Sequence, residues 1–167
     1  MRRRQSSPRH GFQRRHAIAA VELALTAPLL ALLVVGVLEV ARMVQINQIV
    51  SNAAREGARN ASMGTTTYAD VQTIVTDYLT NAGITNQTNL TVSIYDVTQG
   101  NSGPSFNPSS ANYLDQLQVV VTLPYSNVQL MPMNILPSSG QLILGQATWF
   151  SNQDQSYPGT ITPPSGS

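Results

Sequence analysis

Side chains suited to catalysis or metal binding are scarce in this chain of 167 residues. Both histidines, His10 and His16, lie near the N-terminus, and there is no cysteine, so the rest of the chain has neither an imidazole base nor a thiol nucleophile. Asp70 and Asp77 lie about 10.5 Å apart along a helix, which is wide for paired carboxylates. The sequence therefore predicts no catalytic residue, no metal-ligand cluster and no cofactor site, and indicates a protein that is not an enzyme.

The charges are divided unevenly along the chain. Arginine supplies every strong positive charge because there is no lysine, and six of the nine arginines precede residue 17 without an acid among them. The remainder, residues 17–167, has three arginines against eight acids, a net charge of −5. A basic tip can contact nucleic-acid phosphates, but such binding also needs a basic face on a folded module, and this body is acidic. We therefore expect no nucleic-acid partner.

An apolar segment follows the basic tip directly. Residues 17–41 carry only two charges, Glu22 and Glu39, and 25 helical residues rise about 37 Å, enough to cross a hydrocarbon core of about 30 Å. A cleaved secretory signal is the alternative, but its apolar region is usually about 7 to 15 residues long. The preceding arginines predict a single-pass span with a cytoplasmic N-terminus and an extracytoplasmic C-terminal part.

The helical pattern continues beyond the apolar segment. One helix is predicted from about Ile18 to Ala61, with a transmembrane part over 18–41 and a stalk over 42–62, because apolar or small residues recur at steps of three and four. The far end of the stalk is rich in small residues that allow close backbone approach: Ala53, Ala54, Gly57, Ala58 and Ala61. Packing against the chain's own domain and packing against a neighbouring subunit are both compatible with this face.

Residues 63–150 have the pattern of a small extracytoplasmic α+β domain. Thr67 and Asp70 are spaced as a capping box at the start of a second helix, and Gly83 is suited to end it. Three later segments alternate in the manner of strands: residues 90–94, 117–125 and 142–150. We expect a short second helix and a three-stranded antiparallel sheet.

Three stretches have no regular pattern. Residues 1–17 are the basic cytoplasmic leader, and residues 98–113, rich in Gly, Ser, Asn and Pro, predict a surface loop that resists core burial. Residues 151–167 lack periodicity and predict a flexible tail.

Two stretches of the N-terminal helix have more specific patterns. Between Arg14 and Leu23 a basic leader precedes a small residue and an apolar helix containing one glutamate, and residues 51–59 read SNAAREGAR. The first resembles the prepilin signal of TadE-like proteins of the tight-adherence (Flp) pilus system. The second resembles that family's Ala-Ala-Arg-Glu-Gly-Ala-Arg signature. The resemblance covers residues 14 to about 62 and implies a pilin-like fold and a structural role, as a minor pilin or pseudopilin, in pilus biogenesis and surface attachment.

The resemblance also implies a processing site and an assembly role for Glu22. In that register a prepilin peptidase cuts between Ala17 and Ile18, where the family usually has glycine before the cut. Glu22 is then the fifth residue, which in pilin-like assemblies neutralises the N-terminal amine of an adjacent subunit. The alternative is that Glu22 lies near the cytoplasmic surface and pairs with Arg14 or Arg15.

Further partners and packing positions follow from the same resemblance. The implied partners are other pilin or pseudopilin subunits, the inner-membrane pilus assembly machinery, the peptidase and the lipid bilayer, in the bacterial inner membrane or a surface pilus. Pro28 is expected either to kink the helix and ease lateral packing or to be simply tolerated. In the stalk signature, Arg55, Glu56 and Arg59 are expected to pair along the helix at spacing four, or to bind backbone carbonyls of the domain.

A second class of function is left open by the sequence, a permanently anchored extracytoplasmic binding module of a secretion or assembly complex. Its partner would be held by an apolar loop containing Leu130, Met131, Met133, Ile135 and Leu136. Such a loop more often covers its own domain than binds a partner. A retained leader would mark this module, whereas a mature N-terminus at Ile18 would mark the pilin-like protein.

Overall fold

The fold is described from a computed structural model, which covers residues 10–100, 103–129 and 140–153, with side chains from residue 18 onward. The chain forms two units, residues 1–41 and 42–167, and the second is called the domain below. Helix α1, His10–Ala61, contributes residues to both units and is helical throughout, including at Pro28.

Helix α2, Tyr68–Asn81, begins and ends at the predicted signals. The Asp70 backbone N–H donates to Thr67 Oγ1 at 3.3 Å, and the Thr67 backbone N–H donates to Asp70 Oδ2 at 2.8 Å, which completes the capping box. Gly83 follows the helix with φ = +87°, a conformation that glycine adopts without strain. Local chemistry alone thus sets both ends of α2.

The sheet is a three-stranded antiparallel meander in the order β1-β2-β3. Its strands are β1 Thr91–Asp96, β2 Gln116–Pro124 and β3 Leu142–Phe150. The register pairs Ile94 with Val119 and Val119 with Ala147, so these three residues lie on one face. The expectation of an α+β fold with a long N-terminal apolar helix, a short second helix and three antiparallel strands is confirmed.

The core lies between that inner face and the two helices. Alternate residues of β2 are fully buried, as period-two side-chain geometry requires. Val71, Val75 and Leu79 of α2 are buried against them, as are Ile46 and Val50 of α1. The second half of α1 is therefore part of the domain's core.

The expectation that residues 98–113 resist core burial is wrong for part of the segment. Ser105 forms a parallel bridge to Ile94, whose backbone N–H donates to Pro104 O at 3.0 Å and whose backbone O accepts from Phe106 N at 3.1 Å. Pro108 and Ala111 are buried. The outer edge of β1 needs hydrogen-bond partners, and this segment supplies them.

The first residues of the predicted flexible tail are bonded to the domain. Ser151 is buried, and its backbone N–H donates to Asp115 O at 2.7 Å, while Asn152 N donates to Ser62 O at 2.7 Å. These bonds join residues 151–152 to β2 and to the end of α1. The rest of the predicted tail, residues 154–167, lies outside the described residues, as do the basic leader's first nine residues.

Candidate assembly surfaces of the N-terminal helix

The apolar segment of α1 presents large side chains outward within its own unit. Leu25 is 75% exposed, and the described neighbours on all sides are similar, including Ile18, Leu29 and Leu33. Exposed apolar surface of this extent marks contact with lipid or with another protein. Among the described residues this is the one helix long and apolar enough to cross a membrane, and it supplies the protein with an N-terminal membrane anchor.

Glu22 lies within this apolar surface. Its backbone carbonyl accepts a hydrogen bond from Thr26 Oγ1 at 2.9 Å, and its carboxylate has no ion-pair or hydrogen-bond partner among the side chains described. The Thr26 hydroxyl therefore donates to the helix backbone and not to the Glu22 carboxylate. The side chains of Arg14, Arg15 and Ala17 lie outside the described set.

The small-residue face of the stalk is buried in the chain's own domain. Ala53, Ala54, Ala58 and Ala61 are fully buried, and Gly57 lies among them. A Cβ placed on Gly57 would lie 2.8 Å from Val75 Cγ2 and 3.4 Å from Val119 Cγ1, so α1 meets α2 and β2 directly at this point. Of the two packing partners left open by the sequence, the structure shows the chain's own domain.

A second close approach involves β3 and was not predicted. A Cβ on Gly145 would lie 2.5 Å from the Val50 carbonyl oxygen and 2.8 Å from Ser51 N. The absence of a side chain at position 145 thus lets the strand backbone lie against the helix backbone. The available sequence signal was the single glycine inside a strand pattern, which often marks such an approach.

The charged residues of the signature bind within α1. Glu56 and Arg59 form a bidentate pair at 2.6 and 3.1 Å, at spacing three and not the expected four, and Arg55 donates to Asn52 Oδ1 at 3.0 Å. Asn60 Nδ2 adds a bond of 2.9 Å to Glu56. These two arginines do not form the expected alternative contacts, hydrogen bonds from their guanidinium groups to backbone carbonyls of the domain. Their guanidinium groups instead donate hydrogen bonds to side chains one helical turn away.

These contacts determine the electrostatics of the signature. Hydrogen bonding from Arg59 lowers the pKa of the Glu56 carboxyl, and the same bond raises the pKa of Arg59. Both residues stay ionised at neutral pH and hold each other along one exposed side of the helix. The opposite side of the same turns carries the buried alanines.

Catalytic and metal chemistry has little support on these surfaces. No group of three or more His, Cys, Asp or Glu side chains comes together among the described residues. Asp70 is used in the capping box, and Asp77 is exposed on α2. The loop 130–139 of the alternative binding module lies outside the described residues.

Comparison with known proteins found a match to one family model over part of the chain. Residues 17–59 match the family model described as TadE-like protein, a stretch that includes Glu22, Pro28 and the complete Arg55–Arg59 signature. No curated protein and no solved structure matches the chain. The matched stretch starts in the apolar segment and ends where α1 is embedded in the domain, so the resemblance seen in the sequence is confirmed: the N-terminal helix of this chain is a TadE-like segment.

Proposed function

We propose that this protein is a minor pilin or pseudopilin of a tight-adherence (Flp) pilus system, with a structural role in pilus biogenesis and surface attachment. The observation that carries the proposal is the family match over residues 17–59. The matched stretch contains both an apolar segment whose side chains face outward and a signature that packs the same helix into a folded domain. Such a molecule displays a domain from a membrane or filament and performs no chemistry of its own.

In this proposal the α1 surface over residues 18–41 binds lipid before assembly and neighbouring subunits afterwards. The leader is cytoplasmic and the domain extracytoplasmic, because the arginines concentrate before the span. A membrane peptidase removes residues 1–17, which creates an ammonium group at Ile18. Glu22 of an adjacent subunit binds that ammonium group in an apolar environment, where an unpaired carboxylate is costly.

The sharpest test is Glu22→Gln, which keeps the shape of the side chain and removes its charge. The variant is expected to insert into the membrane at parental levels, because burying an amide costs less than burying a carboxylate, but to lose co-purification with other pilus subunits. Glu39→Gln is the matched control, since it removes the other acid of the same segment. Normal pilus formation by Glu22→Gln at parental protein levels would contradict the role assigned to Glu22.

A second measurement separates processing from permanent anchoring. The intact mass of the chain, isolated from cells with an active prepilin peptidase, should correspond to an N-terminus at Ile18. Chains that all retain the first 17 residues would argue for the anchored binding module instead. The same measurement on peptidase-deficient cells provides the reference mass of the uncleaved chain.

A further inference from the structure

Two carboxyl side chains are buried together at one end of the sheet. Asp96 is the last residue of β1 and is fully buried, and Asp115, immediately before β2, is 6% exposed. The register pairs Asp96 with Leu117, so strand alternation places both carboxyl groups on the inner, core-facing side. They are 19 positions apart in sequence, which is why the sequence pattern gave no indication of their meeting.

The carboxyl oxygens of Asp96 and Asp115 differ in the hydrogen bonds that they accept. Asp96 Oδ1 accepts from Thr98 N at 2.9 Å and Gln99 N at 3.2 Å. Asp115 Oδ2 accepts from Asn112 N at 2.7 Å and Gln99 Nε2 at 3.0 Å. Asp96 Oδ2 is enclosed and has no hydrogen-bond partner among the described residues. A buried polar atom without a partner points to a bound water or ion.

The two carboxyl groups lie within hydrogen-bonding reach of each other, and neither forms an ion pair among the described residues. The hydrogen bond from the Asn112 backbone N–H is the main cause that lowers the pKa of Asp115. Two carboxyl groups in contact, with no cationic side chain beside them, repel one another unless a positive partner lies between them. That partner is either a proton shared by the pair or a bound cation.

We propose that Asp96 and Asp115 bind one divalent cation, with Ca²⁺ as the best fit. Thr98, Gln99 and Asn112 contact the two carboxyl groups, and the chain has no cysteine and no histidine after residue 16, so only oxygen ligands are available, which favours hard cations. Ca²⁺ accepts irregular arrangements of carboxylate, carbonyl, amide and water oxygens, whereas Mg²⁺ requires a nearly ideal octahedron. Asp96 Oδ2 is the ligand atom that the folded chain leaves available for it.

The site is a weak one by its composition. It has two carboxylates and not three or more acidic side chains, so neutral oxygens and water would have to supply the remaining ligands. Sites with few charged ligands bind Ca²⁺ with dissociation constants of about 10⁻⁴ to 10⁻³ M, the range of extracellular modules. This affinity range suits a domain outside the cytoplasm, a location that rests on the proposed function.

Binding at this position would hold together three parts of the domain. Asp96 and Asp115 are the two ends of the connection between β1 and β2, and Gln116 N already donates to Thr98 Oγ1 across it at 2.7 Å. The Asp115 carbonyl also accepts from Ser151 N at the end of β3. A cation would therefore stabilise the end of the sheet at which β1 ends, β2 begins and β3 ends.

The test uses the full chain in lipid nanodiscs, stripped with chelator and titrated with Ca²⁺ to about 10 mM at pH 7 by calorimetry and thermal unfolding. The parent should bind about one Ca²⁺ per chain, and its unfolding temperature should rise by several degrees. Asp96→Asn should weaken binding at least tenfold, yet fold without the cation, because its amide donates to Asp115 in place of a shared proton. Asp77→Asn, an exposed acid on α2, is the matched control and should respond like the parent.

Three results would overturn the assignment. Absence of binding by the parent up to about 10 mM would mean that a shared proton, and not a cation, lies between the two carboxyl groups. An equal Ca²⁺ response in the parent and in Asp96→Asn would place any cation elsewhere. An equal response of the parent to Mg²⁺ would contradict the choice of Ca²⁺. If Asp96→Asn does not fold, Asp115→Asn replaces it, and the parent titration decides by itself.

Discussion

Gly57 of α1 and Val75 of α2 are packed so closely that a Cβ at position 57 would lie 2.8 Å from Val75 Cγ2. The two residues come from different helices, and Gly57 is the central glycine of the stalk signature. Real Cβ atoms do not approach other carbon atoms to this distance, so the contact depends on glycine. The signature therefore has a structural role at this position, because it fits the helix into its own domain.

Gly57→Ala is expected to destabilise the domain by about 1 kcal/mol. Overpacking a core costs about 1 to 3 kcal/mol, and the better helix propensity of alanine returns up to about 1 kcal/mol. Val75→Ala should partly relieve the clash, so the double variant should be more stable than the sum of the single effects by about 1 kcal/mol. Denaturant unfolding of the four proteins measures this coupling.

Gly36→Ala is the matched control for that experiment, since it lies on the same helix with nothing within 4 Å of the added methyl group. It should leave the unfolding of the domain unchanged. Strict additivity of the Gly57 and Val75 substitutions would show that the two residues are not in direct contact.

Gly145→Ala is expected to be more damaging than Gly57→Ala. The added Cβ would meet the Val50 carbonyl oxygen at 2.5 Å, which is backbone and cannot rotate away as a side chain can. We expect a loss of about 3 kcal/mol in the free energy of unfolding. Gln146→Ala, at the adjacent exposed position, should change it by less than about 0.5 kcal/mol. Equal effects of the two substitutions would refute the backbone contact between β3 and α1.

The capping box of α2 predicts both a stability loss and a pH dependence. Thr67→Ala should cost about 1 kcal/mol, because the Asp70 backbone N–H loses its acceptor. Hydrogen bonds from the Thr67 hydroxyl and backbone N–H lower the pKa of Asp70. A lowered folded-state pKa gives stability that is present above the unfolded-state pKa of about 3.9 and is lost as pH falls through the folded-state value.

Acid unfolding profiles of the parent and Thr67→Ala test the direction in which stability changes with pH. The parent should gain more stability than the variant as the pH rises from about 2 to 5, and the two curves should run parallel above pH 5. A Thr67→Ala curve parallel to the parent at every pH would show that the capping box does not cause the pH dependence of stability.

The second half of α1 is expected to be required for the domain to fold. Ile46 and Val50 are fully buried in the core together with the alanines of the stalk. A fragment of residues 42–167 should therefore unfold cooperatively, whereas residues 62–167 should show no thermal transition. Aggregation of the longer fragment under conditions where the full chain is soluble would show that the domain depends on the apolar segment or on a neighbouring subunit.

Much of this protein is determined by local sequence. The apolar run over 18–41 predicts a membrane-crossing helix because its length and composition suffice, and the Thr67–Asp70 spacing determines where α2 begins. Alternation of apolar residues identified β2 and β3, and β3 was predicted with its observed bounds, 142–150. The nine residues 51–59 pointed to the TadE-like resemblance, and the family match over residues 17–59 includes them. Cleavage after Ala17 and the intersubunit role of Glu22 remain predictions.

The remaining features were decided only by the tertiary structure, because each depends on residues that are distant in sequence. The sequence left two possible packing partners for the small-residue face of the stalk. The close approach of Gly57 to Val75 shows that this face packs against the chain's own domain. Residues 104–106 pair with β1 because an open strand edge needs partners, which composition does not reveal. Asp96 and Asp115 meet because the strand register brings the end of one strand beside the start of the next. Periodicity determines which face a residue occupies, whereas only chain folding determines what lies opposite.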